Sequence, residues 1–116
     1  MEMNSEKIRL IYDALSDKKG NNIVMIDIHD ISILADCFMI ADGDSHAQVR
    51  AMADSVEEQM QKAGYACKSV SGYQNAEWIL MDYYDVVVHI FMHEDREFYD
   101  LERLWRDGKL LDRESL

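Results

Sequence analysis

The chain has 116 residues, 48% hydrophobic and 30% charged, which fits one folded domain around one core. Asp and Glu total 23 against 12 Lys and Arg, giving a net charge of −11 and a pI near 4.6. That balance excludes a broad basic face for direct nucleic-acid binding and favours a basic protein partner. No apolar run approaches the roughly 18 residues of a membrane span. The start MEMNSEKIRL has no secretory signal or transit pattern, so no membrane association is expected and the expected compartment is the cytoplasm.

In chain order, Ile8, Ile11, Tyr12 and Leu15 form the i, i+3, i+4, i+7 stripe of an amphipathic helix over 5–18, capped by Asn4 or Ser5 and ended by Gly20. IVMIDI (23–28) and CFMIA (37–41) read as strands. After the turn DGDS (42–45), Ser45 and Gln48 have capping-box spacing. Val49, Met52, Ala53, Val56, Met60 and Ala63 then keep helical period up to Gly64. CKSVS (67–71) is a modest strand, and WILMDY (78–83) with VVVHIFM (86–92) forms a tight antiparallel hairpin. A last helix begins at Glu94–Asp95, carries Phe98, Leu101 and Trp105 on one stripe, and ends at Gly108.

The order α-β-β-α-β-β-β-α predicts a single α/β domain, with a mixed sheet of about five strands flanked by helices. The unit 37–41, 45–63, 67–71 reads as a crossover between parallel strands. VVVHIFM lacks polar alternation, so it is expected at the sheet centre, covered on both faces.

Several features resemble chemistry. Asp42 and Asp44 bracket Gly43, and Asp82 and Asp85 bracket the hairpin turn; four carboxylates at strand ends can hold Mg²⁺ for nucleotidyl or phosphoryl transfer. Capping and turn formation explain the same residues more cheaply, and no Walker-type lysine or glycine-rich run accompanies them. His89 has apolar neighbours on its strand face and no nucleophile beside it, so it reads as a structural histidine held by a backbone carbonyl or buried carboxylate. Cys37 and Cys67 have no CxxC or zinc-ligand spacing and read as reduced thiols. No catalytic residue, metal or cofactor is therefore assigned. Strand alternation places Trp78, Leu80 and Asp82 on one face, where an exposed tryptophan flanked by acids makes an interface anchor; packing of Trp78 under the last helix is the competing reading.

DISILADCFMIADGDSHAQVRAMAD (30–54) and WILMDYYDVVVHIFMHEDREFYDLERLW (78–105) resemble the signatures of the ribosomal silencing factor, or Iojap, family. The resemblance rests on Asp36, Gly43 and Ser45 in the first block. In the second it rests on Trp78, Asp82, Asp85, His89, Glu94, Arg96, Tyr99, Leu101, Glu102, Leu104 and Trp105. It implies a small mixed-sheet domain, nucleotidyltransferase-like in fold without that catalysis. It also implies binding to the large ribosomal subunit at its conserved fourteenth protein, which blocks subunit joining and represses translation when nutrients are short. On that reading Trp78 and Leu80 supply the apolar anchor, Asp82, Asp85, Glu94 and Glu102 meet basic side chains, and Tyr99 is a further partner-binding residue. Arg96 pairs with an acid of its own chain and fixes the segment after the strand. Two positions depart from the family pattern: Asp42 replaces a small or hydroxyl residue, and Tyr84 replaces a turn glycine, so an altered turn is expected at Tyr84. A transferase using Asp42, Asp44, Asp82 and Asp85, and a homodimer pairing through the sheet patch, are the rival readings.

Overall fold

The computed structural model describes residues 5–33, 35–104 and 106–111. Helix α1 (Ser5–Asp17) leads to strands β1 (Asn21–Asp27) and β2 (Cys37–Gly43), then helix α2 (His46–Lys62). Strands β3 (Ser69–Ser71), β4 (Trp78–Asp82) and β5 (Val86–Met92) follow, then short helices α3 (His93–Tyr99) and α4 (Leu101–Leu104) and strand β6 (Lys109–Leu111). The sheet order is β3-β4-β5-β2-β1-β6. The β2–β5 pair is parallel and the other pairs are antiparallel.

The mixed α/β sheet is as expected, but among the described residues it has six strands. The sixth is three residues long, too short to show an alternating pattern. It reaches β1 because Gly108 has no side chain: a Cβ there would lie 2.5 Å from Ile26 Cγ2 and 2.9 Å from the Asp27 carbonyl oxygen. The crossover joins parallel strands as expected: β2 and β3 run in the same direction, with β5 and β4 between them, because the β4–β5 hairpin inserts beside β2.

The C-terminal helix is broken. Asp100 takes a left-handed conformation (φ 47°), and its N–H donates to the Arg96 carbonyl, closing α3. Phe98 and Leu101 therefore share no helical stripe, and Phe98 is 81% exposed; Trp105 lies outside the described residues, as does Asn4. The start of α2 matches expectation. Ser45 Oγ accepts from the Gln48 N–H at 3.0 Å, while Gln48 Oε1 reaches back to the Asp44 N–H at 2.7 Å.

Alternation along the strands gives the sheet two unlike faces. Ile8, Ile11 and Leu15 of α1 and Val49, Met52, Val56 and Met60 of α2 pack with Met39, Ile79, Met81, Val88 and Ile90 in the main core. The opposite face carries a smaller buried cluster: Ile26, Ile28, Ala35, Ile40 and Phe91. Val24, Phe38, Trp78, Val87 and Leu101 pack against it only partly buried. Strand β5 is interior as expected, but Val87 keeps its second face incompletely covered.

Candidate partner-binding site

The second face is built from three cross-strand rows. Leu110, Ile26, Phe38, Val87 and Asp82 form one, and Val24, Ile40, His89 and Leu80 the next. Asp42, Phe91 and Trp78 form the third. Helix α3 leans over this third row. The Trp78 ring stacks on Phe91 at 4.9 Å between centroids, and Tyr99 lies 4.8 Å from Trp78 at a tilt. Phe98 extends the aromatic ledge, edge-on to Tyr99 at 5.2 Å. Phe38, Val87 and Leu80 stay half-buried and Leu110 is largely exposed, so an apolar strip continues across the face. Asp82 is at its edge.

His89 sits inside this face, 4% exposed. Its Nδ1 accepts from the Trp78 indole N–H at 3.0 Å, so a neutral ring carries its proton on Nε2. The expected backbone or carboxylate partner is thus replaced by the indole. Nε2 is buried without a partner among the described residues, and burial lowers the imidazole pKa to about 4. A neutral, indole-bonded ring under apolar neighbours fits a structural role. Trp78 packs under Tyr99, in line with the reading that places it beneath the last helix, and it remains half-buried.

The four carboxylates of the transferase reading do not converge. Asp42 lies near the C-terminal end of β2, whereas Asp82 and Asp85 flank the turn before β5, which starts opposite Cys37. Five residues of strand put the two groups ~16 Å apart along the sheet. Asp42 is fully buried and bonded to Arg96, and Asp44 accepts from Asn21 Nδ2 at 3.1 Å. Among the described residues, no cluster of three or more His, Cys, Asp or Glu side chains could hold a metal. Cys37 and Cys67 are free thiols; burial pushes Cys37 up to about 12 and raises Cys67 too.

Of the other nominated residues, Glu94 is exposed in the first turn of α3. Asp85 is held by Lys7 of α1 at 2.6 Å. Arg96 is buried, with Nη1 at 2.9 Å from Asp42 Oδ2 and 3.3 Å from the Asn21 carbonyl, and Nε at 3.0 Å from Glu102 Oε1. Its expected pairing with an acid of its own chain is therefore present twice, and Asp42 has a role as its buried counter-charge. Tyr84 keeps the conformation of a turn glycine (φ 72°), so the turn is not altered. Its N–H donates to Asp82 Oδ1 at 2.8 Å, and Tyr83 N–H to the Val86 carbonyl at 2.9 Å. Phe38 and Val87 were not nominated, though alternation in CFMIA and VVVHIFM places both on this face.

Fold and site define a small α/β domain that presents a half-covered, acid-edged sheet face. The family model described as "Ribosomal silencing factor during starvation" matches residues 2–116. The chain belongs to the ribosomal silencing factor family. It is 39% identical over 111 residues to the ribosomal silencing factor of Bacillus subtilis, covering 95% of this chain and 94% of that one. It is 38% identical over 113 residues to that of Halalkalibacterium halodurans, covering 97% of each. A crystal structure of a Chromobacterium violaceum protein superposes with a TM-score of 0.87 at 37% identity, covering 97% of this chain and 92% of that chain.

Proposed function

We propose that this chain represses translation by docking its half-covered sheet face on the large ribosomal subunit, at the conserved fourteenth protein, and so obstructing the small subunit. The observation that carries this reading is the apolar strip Phe38–Val87–Leu80, continued by Trp78 and Tyr99 and edged by Asp82, in a chain of net charge −11. Such a surface suits a basic protein: the aromatic centre sets the dissociation rate, and rim acids speed encounter. Inhibition by occupancy needs no bond-making chemistry, in keeping with carboxylates that serve the fold.

The test is a sucrose gradient with purified subunits. The chain is expected to co-migrate with isolated large subunits and to keep small ones from joining. Trp78→Ala should weaken large-subunit binding by about 2 kcal/mol or more. Joining that proceeds unhindered in the presence of bound chain would sink the proposal. Sedimentation over a concentration range tests the rival, in which the same face pairs with a second copy.

A further inference from the structure

We infer that Arg96, gripped by Asp42 and Glu102, is a positioning latch that sets the Trp78–Tyr99 platform for docking; the docking part rests on the function proposed above. Helix α3 has seven residues, short of the ~12–15 an isolated helix needs, so tertiary contacts must hold it. Its N-cap, Met92, makes no side-chain capping bond. Its one buried residue is the charged Arg96, while the apolar Phe98 points largely into solvent. What ties α3 to the sheet is therefore the Arg96 network together with the Tyr99 ring on Trp78.

The three partners of Arg96 lie on three elements: Asp42 on β2, the Asn21 carbonyl on β1 and Glu102 on α4. One guanidinium thus spans both sides of the break at Asp100, whose N–H bonds the Arg96 backbone carbonyl. Three residues along the same helix, Tyr99 leans on Trp78. Fixing Arg96 fixes where Tyr99 lies, and hence how much of the indole is covered. A guanidinium offers fixed, directional donors, which suits a part that must define geometry. If Asp42 loses its charge, Arg96 keeps Glu102 and the Asn21 carbonyl but is freed from the sheet's buried carboxylate. Tyr99 then rides loosely on Trp78.

The test uses the full chain with Trp105→Phe, leaving Trp78 as the lone tryptophan of the two in the sequence. Asp42→Asn, Tyr99→Ala and the double variant are compared by Trp78 emission in the free protein and by affinity for large subunits. Asp42→Asn should red-shift Trp78 and weaken binding about tenfold. The double variant should bind no worse than the weaker-binding single variant, a coupling of roughly threefold or more. Unchanged emission, or losses that simply multiply, overturn the latch, since a merely structural Asp42 would not couple to Tyr99. Should Asp42→Asn lose its folded circular dichroism, Glu102→Gln, at the partly exposed end of the network, replaces it under the same criterion. A red shift in a protein whose parent never binds large subunits refutes the docking function and leaves the latch standing.

Discussion

His89 gives the protein a defined weakness to acid. Burial lowers its pKa from 6.5 to about 4, so the folded state holds a neutral ring where the unfolded chain takes up a proton. Its contribution to stability is full above pH 6.5 and falls as the pH drops from 6.5 toward 4, below which the folded protein is protonated as well. At 1.36 kcal/mol per unit, the full loss is about 3 kcal/mol, and at pH 4.5 it is about 2.5 kcal/mol. The residue is nearly fully buried, so solvent screening takes little from this figure. The comparison is His89→Asn, whose side-chain oxygen can stand near Nδ1 and still accept from Trp78. Urea unfolding at pH 7.5 and 4.5 should show the parent chain losing about 2.5 kcal/mol more than the variant. Every other ionisable group is common to both chains and drops out of the difference. Parallel pH profiles would refute the reasoning, because the pKa of His89 would then be the same in both states.

Two further predictions use the hairpin. Tyr84→Gly should stabilise the chain by about 1 kcal/mol and raise Tm by roughly 3–5 °C, since φ 72° is costly for tyrosine and free for glycine. Tyr84→Ala should show no such gain, and a thermal melt in which both variants behave alike would remove the strain argument. Asp82→Asn retains an oxygen for the Tyr84 N–H but removes the charge, so it should slow association with large subunits at low salt and leave dissociation nearly unchanged. Stopped-flow traces with equal association rates would take Asp82 out of the docking rim.

The elements whose signals are local were legible. The α1 stripe, the Ser45–Gln48 cap and the apolar β5 run each carry their reason within a few residues, and each formed as read. What failed depended on partners far along the chain. β6 is three residues that count as a strand only because Gly108 lets them approach β1. The break at Asp100 could not be read from the Phe98–Leu101–Trp105 spacing. A seven-residue helix anchored by Arg96 tolerates a left-handed aspartate that a free-standing amphipathic helix would resist.

The same distinction governs the site. Sequence supplies a charge but not the charge it faces, and in this fold the facing group decides the role. Asp42 and Arg96 are 54 residues apart, and Lys7 and Asp85 are 78 apart, so neither pairing has a local signal. Both acids resembled ligands of a catalytic metal until the parallel β2–β5 register put them at opposite ends of the sheet. Lys7 offsets the charge of Asp85, whereas Arg96 faces two acids, Asp42 and Glu102, and offsets one of their two charges. In the proposed docking, long-range attraction for a basic partner is expected chiefly from acids without such an internal cation, with Asp82 and Glu94 the candidates on this face. The bonds that bury Asp42 and leave Glu102 half-exposed are, in the proposed latch, those that set Tyr99 over Trp78. On the proposed function, the Arg96 ion pairs act on docking through the shape of the aromatic platform, and the salt dependence of docking should track chiefly the rim acids.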